Sequence, residues 1–223
     1  MNLGPELWTA VDRLVGGMLI PSDPIMDAAL EASAKAGLPP IQVSACQGRM
    51  LQILAQMTGA RSILEIGTLG GYSTIWLARA LAPGGRLITL ELDPKHAAIA
   101  KSNFQRADLA ERIELRVGPA LETLPRLLAE GLGPFDFLFI DADKAGTPDY
   151  FLWAMKLSHP GSLIVVDNVV RKGALIETNT PDVAVQGMRR FLDLLRTESR
   201  VTATVIQTVG SKGYDGFALA RVW

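Results

Sequence analysis

Apolar residues recur along the chain in two alternating patterns, short uninterrupted runs and longer stretches with helical spacing. Short apolar runs are typical of buried strands, whereas repeats every three or four residues are typical of helices. The predicted strands are 62–66, 86–91, 113–117, 135–140 and 162–166, and the predicted helices are 72–81, 94–106, 120–130, 147–157 and a segment that carries Met188, Phe191, Leu192 and Leu195. Uniformly apolar strands that alternate with helices indicate a parallel sheet covered on both faces.

The last part of the chain has a different pattern. Residues 201–206 and 217–221 are two predicted strands with no helix between them, and the turn-rich sequence Gly-Ser-Lys-Gly at 210–213 joins them. This arrangement predicts an antiparallel hairpin. The predicted fold is therefore α/β, with a mostly parallel sheet of seven strands, an antiparallel last strand and helices on both faces.

Helical patterns also precede the first strand. Leu7, Val11, Leu14 and Val15 recur at helical spacing, residues 24–35 form a second helical segment, and a third begins at Ser44 as N-cap and ends near Met57. We expect residues 1–40 to form a helical extension, either a lid over the substrate or a dimer contact. No linker or repeat divides the sequence, so one domain over residues 1–223 is expected.

Composition and charge restrict the class of protein. The chain has 223 residues, of which 48% are hydrophobic and 20% charged, as in globular proteins with a large core. Lys plus Arg (22) nearly equals Asp plus Glu (23), so no overall basic charge favours nucleic acid or acidic lipid. A single cysteine, Cys46, excludes an internal disulfide. With no signal-peptide pattern and no apolar run long enough to span a bilayer, a cytoplasmic location is predicted.

A glycine-rich turn follows the first strand, where residues 64–73 read Leu-Glu-Ile-Gly-Thr-Leu-Gly-Gly-Tyr-Ser. Gly67 and Gly71 would let the backbone approach a ligand closely. The spacing is not the G-x-G-x-x-G of dinucleotide sites. Glu91 closes the second strand, where an acidic side chain can accept hydrogen bonds from ribose hydroxyls. The turn resembles the first motif of S-adenosylmethionine-dependent methyltransferases.

Polar residues also follow the fourth and fifth strands, as Asp141-Ala142-Asp143-Lys144 and Asp167-Asn168. In an extended chain Asp141 and Asp143 point to one side. If the two strands are neighbours, about 4.8 Å apart, the carboxylates of Asp141 and Asp167 converge. Two carboxylates and an amide suit a hard cation such as Mg²⁺ or Ca²⁺. The alternative is that these residues only cap the helices that follow.

Taken in order, these motifs resemble the catechol and caffeoyl-CoA O-methyltransferase family. The resemblance covers about residues 40–221, and its most specific part is Asp-Ala-Asp-Lys followed by Asp-Asn. It implies a Rossmann-like methyltransferase fold and the transfer of a methyl group from S-adenosylmethionine to a hydroxyl of a metal-chelated vicinal diphenol. It also implies a homodimer.

The resemblance further implies roles for individual residues. The metal, Mg²⁺ or another divalent cation such as Mn²⁺ or Ca²⁺, would be held by Asp141, Asp167 and Asn168. The methyl donor would be contacted by Val43, Glu65, Gly67, Thr68, Ser73, Glu91, Ala120 and Asp141. Ser73 would bind the methionine carboxylate, Glu91 the ribose, and the backbone of Ala120 the adenine edge. The catalytic residues would be Asp141 and Lys144, with Lys144 either a base or a stabiliser of negative charge.

The acceptor is left open by departures from the family pattern. Where many members place a tryptophan after Asp-Asn, this chain has Val-Val followed by Arg171 and Lys172. These basic residues would favour an acidic substrate, a CoA ester or a nucleotide phosphate, or they form a solvated turn. The enzymatic alternative is methylation of 5-hydroxyuridine in tRNA, and a noncatalytic nucleotide-binding protein is a further alternative. No role is assigned to His96 or His159.

Overall fold

The computed structural model describes residues 4–223, which contain one seven-stranded sheet with helices on both faces. The helices are α1 Pro5–Leu19, α2 Pro24–Lys35, α3 Ala45–Met57, α4 Tyr72–Ala78, α5 Pro94–Arg106, α6 Ala120–Ala129, α7 Thr147–Lys156 and α8 Val183–Thr197. The strands are β1 Ser62–Ile66, β2 Arg86–Glu91, β3 Ile113–Val117, β4 Phe135–Ile140, β5 Ser158–Asp167, β6 Val201–Gly210 and β7 Gly213–Val222. The predicted α/β fold is confirmed.

The order of the strands places a crevice at the middle of the sheet. The order is β3-β2-β1-β4-β5-β7-β6, and β1 to β5 run parallel to one another. β7 is antiparallel to both β5 and β6, and Gly210 pairs with Gly213 across a tight turn, as predicted. From β1 the chain first proceeds outward through β2 and β3 and then returns to β4. Ligands bind beyond the carboxyl ends of strands at such a reversal.

The uniform apolarity of the strands follows from a core on each face. In β4, Phe137 and Phe139 face the core that α2 to α5 cover, whereas Leu138 and Ile140 face the core beneath α6, α7 and α8. All four side chains are almost completely buried. Because successive side chains of a strand point to opposite faces, a strand covered on both faces must be apolar at every position.

Several boundaries differ from the predicted ones. α4 ends at Ala78 rather than at residue 81, because the chain turns back and the amide of Ala82 donates to the carbonyl of Ala60 at 2.8 Å. β5 begins at Ser158, four residues earlier than predicted, and the hairpin strands are longer. Two 3₁₀ segments, Ala110–Arg112 and Arg171–Ile176, were not predicted.

The N-terminal helices pack around one end of the sheet. Ser44 caps α3 as predicted and accepts from the amide of Gln47 at 3.1 Å. Asp12 of α1 accepts from the amide of Ser211 in the β6–β7 turn at 2.7 Å. Residues 1–3 of the expected extension 1–40 lie outside the described residues, and the lid and dimer contact stay predictions. None of the helices within residues 4–223 is long and apolar enough to cross a membrane.

The close packing of α3 on α4 depends on a glycine, and this gives a first prediction. A Cβ at Gly48 would lie 2.3 Å from Cδ1 of the buried Trp76, whereas a Cβ at Gly17 of α1 would have no neighbour within 4 Å. We expect Gly48→Ala to lower the free energy of unfolding by about 1–3 kcal/mol through overpacking. Gly17→Ala, the matched control in an exposed helix, should leave it unchanged or raise it by up to about 1 kcal/mol. Urea denaturation measures both, and equal effects of the two substitutions would contradict this packing.

Candidate active site

A cavity of about 590 Å³ opens at the carboxyl ends of the central strands. The predicted donor-binding residues that line it are Val43, Gly67, Thr68, Ser73, Glu91 and Ala120. At its other end it is lined by Asp141, Lys144 and Asn168. Two predicted site residues, Glu65 and Asp167, are buried behind the lining. The fold therefore brings both predicted groups to one cavity, with two carboxyl groups beneath its surface.

The glycine turn after β1 allows the backbone of two strands to approach closely. Gly67 has a φ of +99°, and a Cβ there would lie 2.2 Å from the carbonyl oxygen of Asp141. The amide of Asp141 donates to the carbonyl of Ile66 at 2.8 Å, so the chains after β1 and β4 stay in contact beyond the sheet. Only glycine fits this conformation and this contact. The turn thus joins the donor end of the cavity to the Asp141 end.

Glu91 fixes the glycine turn from the neighbouring strand. Its Oε2 accepts from the amides of Thr68 at 3.1 Å and Leu69 at 2.7 Å, and its Oε1 accepts from the amide of Asp93 at 2.9 Å. Each carboxylate oxygen has two lone pairs, so acceptor capacity remains for a ligand. Glu91 is 8% exposed and lines the cavity, a position that fits the predicted contact with ribose.

His96 is a cavity residue that sequence reasoning missed. It lies on the first turn of α5 and lines the cavity, with Nδ1 3.6 Å from Oε1 of Glu91. The available signal was its position five residues after Glu91, which brings the first turn of α5 over the end of β2. His159, the other histidine, lies away from the cavity and its Nε2 is 2.9 Å from Oδ1 of Asp136.

Glu65 is a fully buried carboxyl group beneath the donor end. Its Oε1 accepts from the hydroxyl of Ser73 at 2.6 Å, and its Oε2 accepts from the hydroxyls of Thr74 and Thr89. Burial raises the pKa of Glu65 to about 7, although the three hydroxyl hydrogen bonds act in the opposite direction and the charge of Asp141 adds to the rise. Because the hydroxyl of Ser73 donates its hydrogen to Glu65, only its oxygen lone pairs are left to face the cavity. The predicted contact with a methionine carboxylate would require this bond to break.

The raised pKa of Glu65 predicts a pH-dependent stability. A carboxyl group whose pKa is higher in the folded state than in the unfolded state stabilises the fold at low pH, and this contribution is lost as the pH rises through the folded pKa. Between the ordinary value of 4.5 and about 7, the loss amounts to about 3 kcal/mol. Glu65→Gln cannot titrate. We therefore expect the stability of the native chain relative to Glu65→Gln to fall between pH 4.5 and pH 8 in denaturant titrations. Parallel pH profiles of the two proteins would contradict the assignment.

Asp141 and Asp167 form the acidic centre of the other end. Oδ1 of Asp141 accepts from Nζ of Lys144 at 2.6 Å, and this lysine side chain is only 10% exposed. Asp167 is 5% exposed, and its carboxylate accepts from Nε2 of Gln47 at 2.7 Å and from the amide of Asn168 at 2.8 Å. Burial, together with the charge of Asp141, raises the pKa of Asp167 to about 7.

This donor set fits a hard divalent cation. The buried carboxylate of Asp167, whose pKa is raised by burial and by the charge of Asp141, would be stabilised in its ionised form by a nearby positive charge. The side chain of Asn168 lines the cavity beside Asp141 and adds an amide oxygen. Within residues 4–223 no group of three or more His, Cys, Asp and Glu side chains is placed to hold a metal, so the third ligand here would be the amide of Asn168.

The position of Asp143 differs from the predicted one. The sequence placed Asp141 and Asp143 on one side of an extended chain, but β4 ends at Ile140 and the chain turns. The carboxylate of Asp143 accepts from the amide of Gly146 at 2.8 Å and from the hydroxyl of Tyr150. Burial, and then this carboxylate, raise the pKa of Tyr150. Asp143 thus organises the start of α7 instead of joining Asp141.

The two basic residues after Asn168 occupy different positions. Arg171 lines the cavity, whereas Lys172 is exposed and lies outside the lining. Three residues of this segment, Asn168, Arg171 and Lys172, have φ near +55°, a left-handed conformation that is uncommon for residues other than glycine. Oδ1 of Asp215 holds the segment by accepting from the amides of Val170 and Arg171 at 3.0 and 2.9 Å.

Comparisons with known proteins agree on one group. A family model described as O-methyltransferase matches residues 20–222. A catechol O-methyltransferase of Niastella koreensis is 52% identical over 97% of this chain and 98% of its own length, and one of Mycobacterium tuberculosis is 51% identical over 95% and 94%. A crystal structure of an O-methyltransferase from Bacillus cereus in complex with SAH aligns with a TM-score of 0.97 and 56% identity, covering 98% of this chain and 99% of that one. The O-methyltransferase TomG of Streptomyces achromogenes is involved in tomaymycin synthesis and was solved in complex with SAM. It aligns with a TM-score of 0.95 and 50% identity, covering 100% of this chain and 99% of that one.

Proposed function

The chain belongs to the O-methyltransferase family, and from this premise we propose that it methylates one hydroxyl of a vicinal diphenol bound at a divalent metal. Its methyl donor is S-adenosylmethionine, in keeping with relatives solved with SAM and SAH. One observation supports this proposal most strongly. A glycine turn held by Glu91 and an acidic centre formed by Asp141 and the buried Asp167 lie at the same cavity.

At the donor end, the chain's own groups suit a nucleoside joined to an amino acid. Glu91 lines the cavity with one remaining acceptor position, on Oε1, for a ribose hydroxyl, and His96 lies beside it. Gly67 lets backbone approach the sulfonium region without a side chain between them. The walls around these groups are mostly apolar, which keeps water away from the methyl group. Val43 and the backbone at Ala120 complete this end.

At the acidic end, Asp141, Asp167 and Asn168 would hold the cation. When bound, it would polarise the acceptor hydroxyl as a Lewis acid and align two adjacent oxygens. The three ligand residues supply the negative charge that holds the cation, and Lys144 supplies a group that can take the proton of the acceptor hydroxyl. Nζ of Lys144 lies 2.6 Å from Oδ1 of Asp141. The acceptor would bind beside this same carboxylate. Asp141 thus positions Lys144 next to the reacting hydroxyl.

The proposed reaction is a single displacement. The acceptor oxygen attacks the sulfonium methyl carbon, the O–C bond forms as the C–S bond breaks, and sulfur keeps the electron pair. The phenolic proton passes to Lys144, which accepts it as the neutral amine after its own ammonium proton has left to solvent. Alignment of the two reactants in one cavity supplies much of the rate enhancement, because it replaces a rare encounter by a fixed geometry.

A small acceptor is favoured over tRNA by the positions of the basic side chains. Arg189 and Arg190 donate to the carbonyls of Leu175 and Ala145, and Lys212 donates to the carbonyl of Pro40. All three side chains thus bind the chain's own backbone. They therefore offer fewer free donors for the phosphates that dominate RNA binding.

The direct experiment measures methyl transfer from labelled S-adenosylmethionine to catechol, with Mg²⁺ or with EDTA. We expect transfer with Mg²⁺, its loss with EDTA, and a fall of at least about a hundredfold in Asp141→Asn, because a ligand and the anchor of Lys144 are lost together. Asp193→Asn removes an exposed carboxylate of α8 and is the matched control, with activity unchanged. Hydroxyuridine-containing tRNA is assayed in parallel. Transfer to tRNA alone, or transfer to catechol that EDTA leaves intact, would refute the proposal.

A further prediction concerns Lys144. Replacement by Met removes the proton acceptor and should lower kcat by about 10²- to 10⁴-fold, the usual contribution of general acid–base catalysis, with little change in the KM for S-adenosylmethionine. Arginine retains the charge but stays protonated at neutral pH. If Lys144 is the base, Lys144→Arg should be nearly as impaired as Lys144→Met. Substantial activity in the arginine variant would instead assign Lys144 to charge stabilisation.

A further inference from the structure

Arg171 is a cavity-lining guanidinium with no acceptor of its own. It follows Asn168 by three residues and lines the acidic end of the cavity. Among residues 4–223 its side chain donates to no oxygen within hydrogen-bonding distance and makes no ion pair, and its Nε is buried without a partner. A buried N–H donor without an acceptor is costly, so a guanidinium whose Nε is buried and unpaired is suited to meet an anion.

The backbone fixes Arg171 in this position. The residue has a φ of +54°, and its amide donates to Asp215, which also accepts from the amides of Val170 and Gly216. Lys172 has almost the same φ of +55°, yet it is exposed and lies outside the cavity lining. The segment therefore holds one of two adjacent basic side chains against the cavity, where a flexible surface turn would leave both solvated.

The other charged groups that line the cavity have partners within the chain. Lys144 is paired with Asp141, and His96 lies beside Glu91. The carboxylate of Asp143 is bound by Tyr150 and by the amide of Gly146. Arg171 thus contributes a guanidinium that forms no ion pair with any carboxylate among residues 4–223. The carboxylate of an acceptor molecule would supply a partner for it.

We propose that the acceptor carries a carboxylate in addition to its two hydroxyls, and that Arg171 binds this carboxylate and selects for it. This rests on the proposed function, since it concerns the same acceptor. A planar guanidinium and a carboxylate form two parallel hydrogen bonds, which give orientation as well as affinity. With its carboxylate on Arg171 and its oxygens at the acidic centre, a diphenol acid has one orientation in the cavity. Arg171 is then a specificity-determining residue.

The test compares 3,4-dihydroxybenzoate with its neutral isostere 3,4-dihydroxybenzamide. We expect kcat/KM to be at least about tenfold higher for the acid in the native chain, since a charge-assisted pair is worth that much in discrimination. Arg171→Gln should bring the ratio close to one. Lys172→Gln, next to it and with the same backbone conformation, should leave the ratio unchanged. Arg171→Lys keeps the charge without the planar fork and should give an intermediate ratio.

A binding measurement separates selectivity from loss of fold. Calorimetric titration of 3,4-dihydroxybenzoate into protein saturated with SAH and Mg²⁺ should show an affinity at least about tenfold weaker in Arg171→Gln, with the thermal midpoint close to that of the native chain. A ratio near one in the native chain, or a preference for the acid that survives in Arg171→Gln, overturns the proposal. If neither diphenol is methylated by the native chain, the proposed function fails and this inference fails with it. Methylation of the amide alone removes only the role of Arg171.

Discussion

The structure depends on the burial of carboxyl groups at the carboxyl ends of β1 and β5. Glu65 is completely buried and Asp167 nearly so, and burial raises both pKa values to about 7. A buried carboxylate is tolerated only where hydrogen bonds or opposite charge stabilise it. The chain meets this requirement with groups from several elements. Three hydroxyls from α4 and β2 surround Glu65, and Gln47 of α3 reaches Asp167. These contacts fix the helices relative to the strand ends.

The same contacts connect the two halves of the cavity. Glu91 holds the amides of the glycine turn, and Gly67 allows that turn to touch the carbonyl of Asp141. Asp141 in turn binds Lys144 and acts on the ionisation of Asp167. Donor site and acidic centre are thus parts of one network across β1, β2 and β4. A shift of the glycine turn would therefore move Asp141 and, with it, Lys144.

Much of this arrangement could be predicted from the sequence, because it depends on strand ends. Apolar runs mark the strands, parallel strands align their carboxyl ends, and the polar residues that follow them must meet at one edge. Gly67, Glu91, Asp141 and Asn168 were placed in that way, and all four line the cavity. The Ser44 cap and the final hairpin were predictable from local signals.

Other features were decided by tertiary contacts that no local pattern reveals. Glu65 is enclosed by hydroxyls that lie 8, 9 and 24 residues away in the sequence, so its separation from the cavity surface was not predictable. Asp143 turns toward Tyr150 because β4 ends at Ile140. Which of two adjacent basic residues faces the cavity was decided by left-handed backbone held by Asp215, 44 residues away.

We propose that Asp167 and Asp141 together hold a divalent cation, and direct binding of Mn²⁺ followed by electron paramagnetic resonance tests this site. We expect one tightly bound ion per chain and a loss of affinity of at least about tenfold in Asp167→Asn, since one charged ligand is removed. Asp143→Asn should bind as the native chain does, because that carboxylate is bound by Tyr150 and the amide of Gly146. No bound Mn²⁺ in the native chain, or equal affinity in Asp167→Asn, would exclude a cation site formed by these two carboxylates.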